Sequence, residues 1–366
     1  MPGGPFFYNP HVPSGGVTRD LRARPPGSWL AKPGSWLDRA AFRPASLPDD
    51  LVTAIALLPP IVAGLVIFKA PAAQMLAVAL AAGAVGLLVS RWLLGGQRRR
   101  AGTSPLIAAL FGVALVGPGA NIAISIEIAI LAVGLELLRL RYMPAIRAQV
   151  GLLAYAVIAL ATRGATAVYT NPASGGPFTD PLATWYLFFS PSSAPIDPIR
   201  LYVGNVPGPV FATSLLAVAV GVAWLAYARR VSLVVLIGFM VGALVAIRTL
   251  HWDPLFQLDS GPTWFVAGLV LADRRLLPDS WAIRPTLGFA VGLFAVGLRH
   301  PAAGSWLAGH GTELAFFSVA IVQAAMALIV VAIWSMTVAM ERWKRTRRLR
   351  QREANLRIVK TITRVS

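Results

Sequence analysis

The sequence contains no cysteine and little histidine. The absence of cysteine from 366 residues excludes disulfides, thiolate metal sites and cysteine-ligated iron–sulfur clusters. No two of the four histidines have the spacing of ligands on one helix, so a haem held by two histidines of a single segment is unsupported. We therefore expect no metal site, and any redox role requires an organic cofactor. The histidines are His11, His251, His300 and His310.

Charged residues are also scarce. They make up 13% of the chain, whereas 56% is hydrophobic and the mean hydropathy is +0.66, which indicates a membrane protein and not a soluble domain. The net charge of +18 comes from short basic clusters between apolar runs. This arrangement is typical of membrane topology, not of a nucleic-acid groove. We expect the lipid bilayer, and no nucleic acid, as a partner.

The apolar runs predict an all-α polytopic membrane protein with about ten transmembrane segments. A polar loop rich in glycine and proline divides them five and five, and its composition rules out a continuous helix. The segments lie near 51–68, 72–94, 104–117, 120–138, 145–163, 209–228, 231–248, 262–273, 284–299 and 314–338. The expected units are an N-terminal arm (1–50), a first repeat (51–163), an extracytoplasmic loop (164–208), a second repeat (209–338) and a basic tail (339–366).

Basic clusters follow the even-numbered segments and predict the orientation. The positive-inside rule places such clusters in the cytoplasm. Because the N-terminal arm is also rich in arginine, both termini are expected in the cytoplasm of a cell whose plasma membrane holds the protein. The loop 164–208 is then expected outside. The clusters are Arg91 with 98–100, Arg139 with Arg141 and Arg147, Arg229 with Arg230, Arg274 with Arg275, and the basic residues of 342–350.

The third and eighth segments are too short to cross a bilayer, which needs about twenty residues. Each is the third segment of its half; one opens with Ser104-Pro105 and the other with Ser260-Gly261-Pro262. Paired short or broken helices at corresponding positions are typical of inverted repeats with a binding site at mid-membrane. The sequence therefore predicts two inverted five-segment repeats. The alternative is that both segments are unusually short helices that still span the membrane.

Four acidic residues are candidates for an ion or proton path. Glu127 lies in the middle of the fourth segment, where a carboxylate is expected to face the interior of the bundle. A structural, hydrogen-bonded glutamate is the alternative there. Glu136, Asp273 and Glu313 lie at segment ends, where water is expected to reach them. No catalytic triad and no phosphate-binding loop is present, so no catalytic residue is assigned.

Several short motifs follow one another in a fixed order along the chain. They are Asn9–Gly15 (N-P-H-V-P-S-G), Leu57–Pro60 (L-L-P-P), Ser104–Ile107 (S-P-L-I), Leu201–Gly208 (L-Y-V-G-N-V-P-G) with Thr213 and Ser214, Asp253–Leu258 (D-P-L-F-Q-L), and Arg299 with Glu313, Phe317 and Gln323. In this order and spacing they resemble the NqrB/RnfD family. Its members are the ten-span flavin subunits of the sodium-pumping NADH:quinone oxidoreductase and of the Rnf electron-transport complex.

The resemblance implies electron transfer through a flavin, FMN or riboflavin, among other membrane subunits. The family attaches FMN to a threonine of D-x-x-[ST]-G-A-T in the outer loop. Here Asp180–Thr184 keeps only the Asp and the Ala-Thr pair, so covalent FMN at Thr184 is disfavoured and a non-covalent flavin is expected. An aromatic wall and polar contacts would hold such a flavin. The candidates are Trp185 and Tyr186 in the outer loop, with Ser104 and Trp264 at the openings of the short segments.

Three hypotheses follow from the sequence. The first is a flavin-dependent electron-transfer subunit of a membrane oxidoreductase, with coupling to ion transport left open. The second is a transporter-like or scaffold protein that has lost the flavin. The third is a membrane redox or accessory protein of a biosynthetic pathway, of the kind found beside enediyne gene clusters.

Overall fold

Helices form almost all of the regular structure. The computed structural model describes residues 47–94, 103–178, 180, 182, 198–278, 280, 282–299 and 311–365. These residues belong to one compact unit that begins at Pro44. The long helices are α1 (Asp49–Phe68), α2 (Ala70–Leu94), α3 (Pro105–Ala114), α4 (Ile122–Tyr142) and α5 (Val150–Ala161) in the first half. In the second half they are α7 (Leu215–Tyr227), α8 (Leu233–Thr249), α10 (Gly261–Trp264, continued as a π-helix over Phe265–Leu271), α11 (Ile283–Gly297) and α12 (Gly311–Val365).

In the part of the chain that the structure describes, three helices are long and apolar enough to cross a membrane, namely α1, α2 and the Gly311–Arg348 part of α12. Six further apolar helices in the same residues are shorter. Among the described residues the protein is therefore mostly helical, with a membrane-protein composition in its helices. The last helix does not end near residue 338, where the sequence indicates a separate tail, but continues through the basic region to Val365.

Two short helices form the centre of the core. Every residue of α3 except Leu106 is buried, and all seven residues of the π-helix are buried. Both helices begin with the same capped turn, in which the side chain of Ser104 or Ser260 accepts the N–H three residues later at 3.4 Å. A proline in the first turn, Pro105 or Pro262, removes an N–H that would have no helical partner.

The far ends of these two helices lie inside the protein, and neighbouring backbone groups satisfy them. Phe211 N–H donates to Ala114 O at the end of α3, at 3.1 Å. Ser232 N–H donates to Ala272 O at the end of the π-helix, at 2.9 Å. A helix end away from water needs such partners, because an unpaired carbonyl in an apolar region is costly.

Helix α8 packs against α11 through glycines spaced four residues apart. The two helices run in parallel, with Gly238 opposite Pro285 and Gly242 opposite Phe289. On the other helix, Gly292 lies opposite Phe239. A β-carbon at Gly242 or Gly292 would lie 2.1 or 2.0 Å from the carbonyl oxygen of Phe289 or Phe239, respectively. Only glycine allows this backbone approach, as in other small-residue interfaces between membrane helices.

The described residues between the halves begin with a short turn structure. A 3-10 turn (Ala165–Ala167) precedes a hairpin of β1 (Tyr169–Thr170) and β2 (Pro177–Phe178), which pair antiparallel. Helix α6 (Pro198–Val203) leads to α7, and α9 (Pro254–Leu258) precedes α10. The hairpin region covers the end of α3, where Thr166 O accepts from Gly117 N–H at 2.8 Å.

Candidate functional site

Glu313 is the centre of a buried polar cluster at the start of α12. Its Oε1 accepts hydrogen bonds from the Tyr155 hydroxyl at 2.6 Å and from the Thr166 hydroxyl at 2.8 Å. All three residues are buried. The sequence brings them together because α5 ends and α12 begins at the same end of the bundle, under the 3-10 turn that carries Thr166.

Asp180 attaches the loop between the halves to the same helix start. Its carboxylate accepts from the Thr312 N–H at 2.6 Å, the Thr312 hydroxyl at 2.8 Å and the Leu182 N–H at 3.0 Å. Burial raises the pKa of the Asp180 carboxyl, although the hydrogen bonds from Thr312 and Leu182 and the charge of Arg299 oppose that effect. The contact places a titratable group against Thr312, which is the neighbour of Glu313 in the sequence.

Arg299 supplies a positive charge to the buried cluster at the start of α12, which includes Asp180 and Glu313. The side chain is 1% exposed and donates to Gln257 Oε1 at 2.5 Å, Thr263 Oγ1 at 2.8 Å and Gly311 O at 3.2 Å. The guanidinium ties α9, α10 and α12 together at one end.

Two polar atoms of this cluster have no hydrogen-bond partner within the described part of the chain. They are the hydroxyl of Tyr169 and the amide nitrogen of Gln257, both on buried side chains. Burial raises the pKa of the Tyr169 phenol well above its ordinary value, and the negative charges of Asp180 and Glu313 raise it further. Tyr169 therefore keeps its proton at physiological pH and presents a donor near two carboxylates.

A second set of buried ion pairs lies at the opposite ends of the helices. Glu136 pairs with Arg139 at 2.7 Å, and the Thr103 hydroxyl donates to the same carboxylate at 2.7 Å. Asp273 accepts from the Arg275 side chain at 3.0 Å, and Arg275 also donates to Thr53 at 2.9 Å. Each carboxylate thus has its own arginine.

The expectation that water reaches the acids at the segment ends is wrong. Glu136 is 0%, Glu313 1% and Asp273 2% exposed. Thr103 contacts Glu136, Thr166 contacts Glu313, and Arg275 contacts Asp273. Glu313 accepts hydrogen bonds from two hydroxyl groups, those of Tyr155 and Thr166.

The expectation that Glu127 faces the interior of the bundle is also wrong. Glu127 is exposed on α4, while the adjacent Ile128 is buried against Gly112 of α3. The helix has one buried stripe, formed by Ser125, Ile128, Ala129, Ala132 and Glu136. Glu127 lies outside that stripe because helical periodicity turns it away from α3 and α5.

The two described flavin candidates, Ser104 and Trp264, lie near opposite ends of α1. The Ser104 side chain lies beside Asp50 at the start of α1. Helix α10 starts against Thr213, and the nearby Val210 packs on Gly64 toward the end of α1. The two ends are separated by about 20 Å along the axis of α1, at about 1.5 Å per residue. The candidates Thr184, Trp185 and Tyr186 lie outside the described residues.

Neither described candidate is free to line a flavin pocket. The Trp264 indole N–H donates to Leu258 O at 2.6 Å, and its ring packs edge-on against Phe239 at 5.8 Å. Ser104 is buried as a helix cap. A cleft at the start of α10, lined by residues such as Thr213 and Thr312, has a volume of about 20 Å³. That is space for one or two water molecules, so the cleft does not fit an isoalloxazine ring.

Sequence reasoning did not single out Arg139, Tyr155 or Thr166 as members of buried clusters. The spacing of Glu136 and Arg139 on one helix face could have predicted their ion pair. The hydroxyl partners of Glu313 carry no comparable signal, because they come from segments more than a hundred residues away.

These features define the class of protein: a helical chain with helices apolar enough to span a membrane and buried polar clusters at both helix ends. Comparison with known proteins finds no matching family model and no curated protein of similar sequence.

Proposed function

We propose that this chain is a membrane subunit of the NqrB/RnfD type that takes part in flavin-mediated electron transfer. The single observation that carries the proposal is the pair of short, buried helices that begin at Ser104 and Ser260. Their rings Phe111 and Phe265 meet edge-on at 5.7 Å. Short helices that enter the core and end there are typical of proteins that place a site at mid-membrane.

The inverted repeat is part of the same proposal. In the first half α2 packs against α4, and in the second half the corresponding α8 packs against α11. Helices α1 and α7, which open the two halves, pack against each other. A two-fold relation between the halves would generate both kinds of contact. We further propose that both termini are cytoplasmic in a plasma membrane, with residues 164–208 outside.

Three polar residues of the motifs that resemble the family lie buried and hydrogen-bonded. Arg299 and Glu313 belong to the buried cluster at the start of α12, and Gln323 Oε1 accepts from Gln149 N–H at 2.9 Å. Polar residues at positions inside apolar segments are costly unless they have partners or a role. Among the acidic candidates, Glu313 fits an ion or proton path best, since two hydroxyl groups, those of Tyr155 and Thr166, donate hydrogen bonds to its carboxylate.

The flavin itself is the part of the proposal that the described site residues do not fit. Ser104 and Trp264 cannot line one ring, because they lie at opposite ends of α1. A flavin bound in this protein would have to use other residues, with Thr184, Trp185 and Tyr186 as the remaining candidates. We propose a non-covalent flavin, which would exchange electrons one or two at a time with partner subunits.

Spectroscopy of the purified protein tests this proposal. We expect the visible absorption band of an oxidised flavin in the native protein. After denaturing electrophoresis, a non-covalent flavin leaves the band, whereas a covalent one remains and fluoresces. Fluorescence that persists in the wild-type band and disappears in Thr184→Ala would instead assign covalent FMN to Thr184.

A membrane scaffold or transporter-like role without flavin is the second candidate. The observation that favours it is the use of Trp264 and Ser104 in structural hydrogen bonds. A purified protein that contains no flavin, in native or denatured form, would support this second role and exclude the first.

A further inference from the structure

Helix α4 has an apolar outer face that carries one carboxylate. Glu127 is exposed there, together with Ile130, which is 62% exposed, and Leu138, which is 55% exposed. Gly134 lies on the same face, since these positions follow each other at three or four residues. A β-carbon at Gly134 would have no neighbour within 4 Å. The described residues therefore leave this face open to another molecule.

Two contacts place Glu127 near the middle of the bundle's length. Val133 of α4 packs against Gly86 of α2, which runs in the same direction. Counting back from that contact, Glu127 is level with Leu80, close to the middle of the 25-residue helix α2. The neighbouring Ile128 contacts Gly112, about 12 Å from the start of α3 at about 1.5 Å per residue. Both contacts therefore place Glu127 near the middle of the bundle's length.

A carboxylate at this depth and on this face needs a partner. No hydrogen bond or ion pair joins Glu127 to another described residue, and it is not within two turns of a basic residue on its own helix. Ionisable side chains in a membrane normally face protein or water, because hydrocarbon does not solvate them. This step depends on the proposal that the helices span a membrane.

Charge complementarity and shape define the partner. A second copy of this chain, docked through the same face, would bring two Glu127 carboxylates together, which is unfavourable. A helix that carries a lysine or arginine at mid-depth would neutralise Glu127, and the open space at Gly134 would let the two backbones approach. We propose that the α4 face around Glu127 docks a membrane-spanning helix of a different protein, through a basic side chain opposite Glu127.

Charge reversal tests the docking surface. The full chain would be purified in mild detergent from membranes of its source cells, and the mass and composition of its complex would be determined. We expect Glu127→Lys to reduce the fraction in the complex by at least about tenfold. Leu80→Lys is the matched control, since Leu80 is 45% exposed at the same depth on α2. It should retain the complex.

Restoration by a second charge reversal gives the decisive result. Once the partner helix is identified, replacing its mid-depth lysine or arginine with glutamate should restore the complex with the Glu127→Lys variant. Failure of this restoration, equal loss in Leu80→Lys, or a complex made of this chain alone would overturn the proposal. So would a complex that Glu127→Lys leaves intact while the protein remains in the membrane fraction. Absence of the wild-type chain from that fraction would instead refute the membrane function itself.

Discussion

The glycine contacts between α8 and α11 make Gly292→Ala a direct test of how closely these helices approach. The added methyl carbon would lie 2.0 Å from Phe239 O, whereas carbon–oxygen contacts begin near about 3.3 Å, so the helices must separate by about 1 Å. We expect the lost packing to cost about 1–3 kcal/mol. That exceeds the roughly 0.5–1 kcal/mol by which alanine stabilises a helix interior over glycine. The net effect should be destabilisation.

Gly297→Ala is the matched control for this variant. It makes the same change in the same helix, where a β-carbon would have no neighbour within 4 Å. Its unfolding temperature should equal or slightly exceed that of the wild type. The assay is thermal unfolding of the detergent-solubilised protein, followed by the fluorescence of its 11 tryptophans.

A double variant adds a second criterion. In Gly242→Ala the methyl carbon would lie 2.1 Å from Phe289 O, in the same interface. Once one methyl group has moved the helices apart, the second should find more room, so the double variant should lose less stability than the sum of the singles. Strict additivity, or a Gly292→Ala protein as stable as the wild type, would refute the close approach.

Three further predictions concern charge and topology. Arg139→Ala should destabilise the protein by about 3–5 kcal/mol in the same unfolding assay, because it leaves buried Glu136 without its counter-charge; Glu136→Gln with Arg139→Met should recover most of that loss. The raised pKa of Asp180 means that the folded state binds the proton of this carboxyl more tightly than the unfolded state does. This contribution to stability is therefore present at low pH and is lost as pH rises through the raised pKa. Asp180→Asn should flatten the dependence of the unfolding free energy on pH. Ser192→Cys, a single cysteine in a chain without any other, should react with a membrane-impermeant thiol reagent from outside intact cells, and labelling only from the cytoplasmic side would reverse the proposed topology.

Helix starts followed from the sequence where local chemistry sets them. Ser104-Pro105 and Ser260-Gly261-Pro262 are capping signals, and both short helices begin there. Helix α7 begins at Leu215, later than the apolar run indicates. The N–H groups of Val210 and Phe211 are used by carbonyls at the end of α3, so the chain stays non-helical until Ser214 caps the helix. A contact between distant segments sets that boundary.

The sequence predicts the positions of the helices better than it predicts which of their side chains are buried. In α4 nearly all residues are apolar on both sides, so hydropathy does not show which side packs on α3. Glu127 was expected inside and lies outside, whereas Glu136 was expected near water and is buried. For the same reason the partners of Glu313 could not be derived, since they depend on how α5 and α12 meet. Composition therefore predicts which residues lie within a membrane, but it does not predict which side of a helix faces the protein interior.

Helix α12 continues far beyond the thickness of a bilayer. Its 55 residues measure about 80 Å, against a hydrocarbon core of about 30 Å. On the proposed topology, the basic residues just after 338 lie within about one Debye length, about 8 Å, of the lipid headgroups and are attracted to anionic lipid. The helix backbone near Lys360 lies about 30 Å farther into the cytoplasm, beyond that attraction. On that topology the end of α12 extends beyond the membrane surface as a helical arm, within reach of soluble molecules.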